Sequence, residues 1–87
     1  MMTANDKQDI VMYGAMWCGD CVRAKKFFDR NGVSYQWIDL EQNPDKVEVV
    51  LEQNNGMRTI PTIFFPDGSV MVEPTNQQLA QKLGIQL

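Results

Sequence analysis

Cys18 and Cys21 are the two cysteines of the chain, and they stand three residues apart in Trp17-Cys18-Gly19-Asp20-Cys21. A thiolate is the reactive form of cysteine. On a helix, positions i and i+3 lie on one face with Cα atoms about 5–6 Å apart, inside the window for a disulfide. The chemistry open to such a pair is thiol–disulfide exchange. One sulfur attacks a substrate disulfide and forms a mixed disulfide, and the other resolves it and leaves an internal disulfide. Cys18 is expected to be the attacking sulfur and Cys21, one turn further in, the resolving one. A purely structural disulfide over so short a link removes little unfolded-chain entropy. A zinc site takes about four ligands, and the chain has two Cys and no His. No metal is therefore expected within one chain, although a metal shared between two copies stays open.

The absence of His also removes imidazole as the base that activates the thiol. Charge on the Cys18 sulfur must come from a helix end, whose unsatisfied N–H groups and dipole favour an anion. Asp20 works against it, because a neighbouring carboxylate disfavours a second negative charge. Arg23, Lys25, Lys26 and Arg30 crowd the same stretch. They fit a solvated helix face, and they also fit a local positive field beside the sulfur.

The elements that must position the pair can be read around it. Ile10-Val11-Met12-Tyr13 is an apolar, β-branched run that predicts a strand buried on both faces. Gly14 ends it. Cys21, Ala24 and Phe28, with Phe27 beside them, give a helical stripe from about residue 18 or 19 to Asn31, where Asn31-Gly32 supplies the stop. Cys18 thus falls where a strand gives way to a helix. Val33 to Leu40 predicts a second strand. Asn43-Pro44-Asp45 predicts the cap and first turn of a second helix, with a stripe of Val47, Val50 and Leu51. Ile60 to Phe65 and Val70 to Val72 predict two strands joined through Pro66-Asp67-Gly68. Thr75-Asn76-Gln77-Gln78 reads as a capping box before a last helix with Leu79 and Leu83 inward. The order is β-α-β-α-β-β-α. The fold class is α/β, a four-stranded mixed sheet flanked by three helices, with a right-handed parallel crossover at its start.

Pro61, in Thr59-Ile60-Pro61, has two readings. Proline is tolerated at the first position of a strand. An X–Pro bond is also where a cis peptide occurs, and a cis bend would turn the Ile60 backbone outward beside the cysteines for pairing with an extended substrate. Composition does not choose between them.

The chain has 87 residues, 44% of them hydrophobic, and a formal charge of −3. That length suits one domain with a thin core. The weakly acidic balance argues against a nucleic-acid partner, and no run is long and apolar enough to cross a bilayer. Residues 1–8 are polar and read as a flexible tail rather than a signal peptide, leaving residues 9–87 as the domain. The expected compartment is the cytoplasm, where a cysteine pair is more often catalytic than structural. A monomer is expected.

Tyr13…Trp17-Cys18-x-x-Cys21, Thr59-Ile60-Pro61 and the Asp67-Gly68 hairpin, in that order, resemble a glutaredoxin-type member of the thioredoxin superfamily. The Cys-Gly-x-Cys motif and the run Asn55-Gly56-Met57-Arg58-Thr59-Ile60-Pro61-Thr62 are similar to mycoredoxins, small actinobacterial glutaredoxin-like proteins. The resemblance implies the thioredoxin-like fold, a cis Pro61, a nucleophilic Cys18 and a resolving Cys21. It also implies a groove for a low-molecular-weight thiol, lined by Trp17, Arg58, Thr59 and Ile60 and by the turn before the last helix. In glutaredoxins that turn carries Gly-Gly and an acidic pair that grips the amino end of glutathione. Here it reads Glu73-Pro74-Thr75-Asn76, and Ala15-Met16 stand where the carboxylate-binding Lys is expected. Both departures count against glutathione and leave Thr75 and Asn76 as donors to another thiol such as mycothiol.

The implied activity is a thiol–disulfide oxidoreductase with no bound cofactor. It would act on disulfide-containing proteins, with mycothiol or glutathione and that thiol's reductase as partners. Two alternatives stand beside it. One is a redoxin coupled to thioredoxin reductase that donates electrons to ribonucleotide reductase. The other is a module that holds a [2Fe–2S] cluster between two subunits, since cluster ligation is also thiolate chemistry.

Overall fold

The computed structural model describes residues 9–87. The tail expected over residues 1–8 lies outside the described residues. The chain opens on β1 (Ile10–Gly14), turns into α1 (Gly19–Arg30) and returns as β2 (Tyr35–Asp39). A 3₁₀ turn over Pro44–Lys46 leads into α2 (Val47–Gln53). The hairpin of β3 (Thr62–Phe64) and β4 (Val70–Val72) follows, and α3 (Asn76–Leu83) ends the fold.

The sheet order is β2-β1-β3-β4. β1 runs parallel to β2, with Ile10 opposite Tyr35 and Gly14 opposite Asp39. It is antiparallel to β3, with Met12 opposite Ile63. The α1 crossover thus leaves β1 in the middle of the sheet, and α1 starts from the end of a strand held on both sides. β1 alternates buried and half-buried residues instead of being buried on both faces. Met12 and Ile63 meet Ala24, Phe27 and Phe28 of α1 and Leu79 of α3 in one core cluster.

Local chemistry explains where elements begin and end. The Thr75 hydroxyl accepts from the Gln78 N–H at 3.1 Å, and the Gln78 side chain accepts from the Thr75 N–H at 2.8 Å. This capping box fixes the start of α3. Asn43 stands at the N-cap with Pro44 following as expected, but the element it opens is a 3₁₀ turn and its side chain makes no cap bond. Its amide donates to the Asp39 carbonyl instead, at 3.0 Å, and the chain enters α2 through the 3₁₀ turn. Pairing with β1 confines β2 to Tyr35–Asp39, shorter than the Val33–Leu40 run. β3 likewise begins at Thr62, after the Ile60–Pro61 bond, which is cis. In the hairpin turn Asp67 accepts from Ser69, and Lys82 of α3 donates to it at 2.7 Å. These bonds hold the Asp67 carboxyl well below the usual carboxylate range. A lowered acid stabilises the fold above its unfolded pKa of about 4, and that contribution fades as the pH drops further.

Candidate active site

Cys18 is the N-cap of α1, and its extended backbone (φ −88°, ψ 115°) turns the sulfur back over the first turn. The Cys21 N–H donates to the Cys18 Sγ at 3.3 Å. This is an N-cap bond made with sulfur in place of oxygen, and it puts an orphan helix donor against the atom that would carry negative charge. The Cys18 S–H points to the Ile60 carbonyl at 3.9 Å. That carbonyl is the backbone group just before the cis Pro61, so the cysteine and proline segments meet here as their order in the sequence suggested. Both cysteines are free thiols.

The two sulfurs differ in access. Cys18 is half-buried, whereas Cys21 is fully buried. Burial pushes the Cys21 thiol up to about 12. Its hydrogen bond with Cys18 and the charges of Cys18 and Asp20 act in the same direction, and a backbone bond from Ala15 opposes them. Desolvation disfavours the charged form of an acid, so Cys21 stays a thiol across the neutral range.

A cavity of about 630 Å³ opens over Cys18. It is lined by Trp17, Gly19 and Asp20 at the start of α1, by Arg58, Thr59 and Ile60 from the segment before β3, and by Glu73. The structure therefore brings Trp17, Arg58, Thr59 and Ile60 together around Cys18. Pro61 is buried behind them, and its carbonyl accepts from the Glu73 N–H at 2.9 Å. Trp17 is 69% exposed and is held by its indole N–H, which donates to Glu41 at 2.9 Å.

Thr75 and Asn76 do not line the cavity. The Thr75 hydroxyl is used in the capping box, and the Asn76 carbonyl oxygen accepts from Arg23 at 2.8 Å. Arg23 also donates to the Pro74 carbonyl at 3.0 Å and pairs with Asp20 at 3.3 Å. One guanidinium thus ties α1 to the turn before α3 and pairs, at the surface, with the carboxylate next to the cysteines. The expected turn before the last helix does reach the cavity, but through Glu73 rather than through Thr75 or Asn76. Glu73 sits in left-handed backbone (φ 51°), a conformation unusual for a non-glycine residue. Its signal in the sequence was its place as the first residue of that turn, Glu73-Pro74-Thr75-Asn76.

Among the described residues no helix is long and apolar enough to cross a membrane. The arrangement has an accessible sulfur at a helix mouth, a sealed second thiol behind it and an open groove beside them.

The Glutaredoxin family model matches residues 10–71. Over 74 residues the chain is 36% identical to the Mycobacterium tuberculosis protein named "Putative glutaredoxin Rv3198A", spanning 85% of this chain and 88% of that one. Over 75 residues it is 29% identical to mycoredoxin 1 of Corynebacterium glutamicum, spanning 86% and 92%. The crystal structure of a buckwheat glutaredoxin–glutathione complex aligns with a TM-score of 0.65 at 31% identity, covering 86% of this chain and 69% of that one. The family match over most of the chain, carried on a thioredoxin-like fold, makes this protein a member of the glutaredoxin family and a thiol–disulfide oxidoreductase.

Proposed function

We propose that Cys18 attacks and Cys21 resolves in the reduction of protein disulfides and of mixed disulfides between proteins and a small thiol. The observation that carries this reading is the asymmetry of the pair. The sulfur that accepts the α1 amide borders the cavity, and the other sulfur is sealed behind it. Cys18 takes one sulfur of the substrate, the other sulfur leaves, and a second thiol clears Cys18 in one of two ways. A free small thiol attacks the mixed disulfide, or Cys21 closes on Cys18.

Trp17, Arg58, Thr59 and Ile60 form the small-thiol site, and Pro61 supports it from behind. Thr75 and Asn76 act through the wall they stiffen. Asp20 and Glu73 face the cavity with Arg58 as the cation that lines it. That balance suits an uncharged, hydroxyl-rich thiol better than glutathione with its two carboxylates. Mycothiol is accordingly the favoured cosubstrate, in keeping with the likeness to mycoredoxin 1. The reading takes the protein as a cytoplasmic monomer that works where thiols are kept reduced.

Cys21→Ser tests the division of labour. On a peptide–thiol mixed disulfide with mycothiol and its reductase, the variant is expected to keep activity within about tenfold of the parent, since that route needs one protein sulfur. Total loss would contradict it and favour a redoxin served by thioredoxin reductase. Offering the mycothiol, glutathione and thioredoxin reductase systems in parallel identifies the electron source.

A further inference from the structure

Gly14 closes β1, and its φ is not in the left-handed region that calls for glycine elsewhere in this chain. What it lacks room for is a side chain. A β-carbon on Gly14 would stand 2.5 Å from the Cys21 Sγ and 3.0 Å from Cη2 and Cζ3 of Trp37. Comfortable contacts between such atoms are about 3.5–4.0 Å. Glycine inside a strand often marks the close approach of another group, and here that group is the buried thiol.

The backbone here is held by hydrogen bonds on both sides of the position. Gly14 is paired with Asp39 of β2, and its carbonyl accepts from the Leu40 N–H at 2.9 Å. The next carbonyl, of Ala15, accepts from the Cys18 N–H at 3.2 Å. Trp37 is capped on its ring by the Lys25 ammonium, 4.1 Å from the centroid. The group left to yield is the Cys21 side chain.

We propose that Gly14 is a positioning residue for Cys21, the notch in which the resolving sulfur waits, and that filling the notch turns a two-cysteine catalyst into a one-cysteine catalyst. This rests on the Cys18 and Cys21 roles proposed above. In the resolving step the Cys21 sulfur attacks the Cys18 sulfur of the mixed disulfide. The Cys18–Cys21 bond forms as the bond from Cys18 to the substrate sulfur breaks. The substrate leaves with the electron pair and takes up the proton that Cys21 gives up. Over both steps two protein thiols are oxidised to one disulfide, and the substrate disulfide is reduced to two thiols. A sulfur pushed aside by a β-carbon loses the alignment this step needs, while the attack by Cys18 does not use it.

Gly14→Ala is tested on the reduced protein with a bis(nitrobenzoate) disulfide, whose thiol is yellow when released. The first equivalent reports attack by Cys18, and the second reports closure by Cys21. The first rate is expected to stay within about threefold of the parent, and the second to fall about 10²-fold, the scale of a 1 Å misplacement. An unchanged second rate, or both rates falling together, overturns the proposal. Thermal melting of Gly14→Ala in the parent and in a Cys21→Ala background provides a second reading. The loss in melting temperature is expected to shrink by half or more once the sulfur is gone, and an equal loss in both overturns the proposal. Cys21→Ser in the same release assay separates the two levels. If it still frees both equivalents, the two-cysteine reading has failed rather than the role of Gly14.

Discussion

Cys18→Ser is expected to leave a folded protein that no longer reduces disulfides, with turnover down on the order of 10³-fold or more, as for loss of a nucleophile elsewhere. The fold should tolerate the change because Cys18 acts structurally as an N-cap. Serine is among the preferred N-cap residues, so helix stability should hold or rise by up to about 1 kcal/mol. A serine hydroxyl at that position accepts the Cys21 N–H as the sulfur does, but it is not acidic enough to attack a disulfide near neutral pH. The variant therefore separates the two roles of one atom. It should also be inactive with every small thiol offered, since both ways of clearing Cys18 require it. Residual turnover near the parent level, measured on the same peptide–thiol mixed disulfide, would place the chemistry elsewhere.

Phe27→Ala is expected to carry the largest cost in stability. Phe27 has no exposed surface and lies in the core cluster with Phe28, Met12 and Leu79. Its ring meets that of Phe28 edge-on, with centroids 6.3 Å apart. Truncating a buried Phe to Ala costs about 3–5 kcal/mol through lost burial and the cavity left behind. A domain of 87 residues has about 4–13 kcal/mol in all. The variant should thus lose a large share of its stability and melt about 15 °C or more below the parent. Because Phe27 lies on the same helix as Cys18 and Cys21, the loosened α1 should also protect Cys21 less well. A melting shift under a few degrees would mean that this ring is not a keystone of the core.

How much of this was legible in the sequence depended on whether the deciding contact was local. The capping box at Thr75 and Gln78 and the inward stripe of Cys21, Ala24, Phe27 and Phe28 are local, and both appear as expected. So does the placement of Cys18 at the strand–helix junction, which follows from spacing. Asn43 takes the expected cap position, but its side chain is turned toward the Asp39 carbonyl and makes no cap bond. The ends of β2 and β3 were overextended because a strand stops where its partner does, and β1 sets that limit. In the site, Trp17, Arg58, Thr59 and Ile60 converge as the family resemblance implied. Thr75 and Asn76 do not join them, because the capping box and Arg23 engage their side chains. Arg23 fits either a solvated basic face or a positive field beside the sulfur by sequence, and neither reading includes its bridge across 53 residues to Asn76. No local pattern announces a contact of that range. Gly14 was read as a strand breaker, yet its small size answers to a sulfur seven residues on and a ring on the neighbouring strand.

The most direct test is site-resolved alkylation of the reduced, folded protein with iodoacetamide over pH 6–10, scored by mass spectrometry of the two cysteine peptides. Modification is expected at Cys18 throughout. Cys21, whose thiol is held up to about 12 by burial, should be modified only after unfolding. Equal labelling of both sulfurs in the folded protein, or a Cys18 that stays unlabelled while Cys21 reacts, would contradict the assignment of an open attacking sulfur in front of a sealed resolving one.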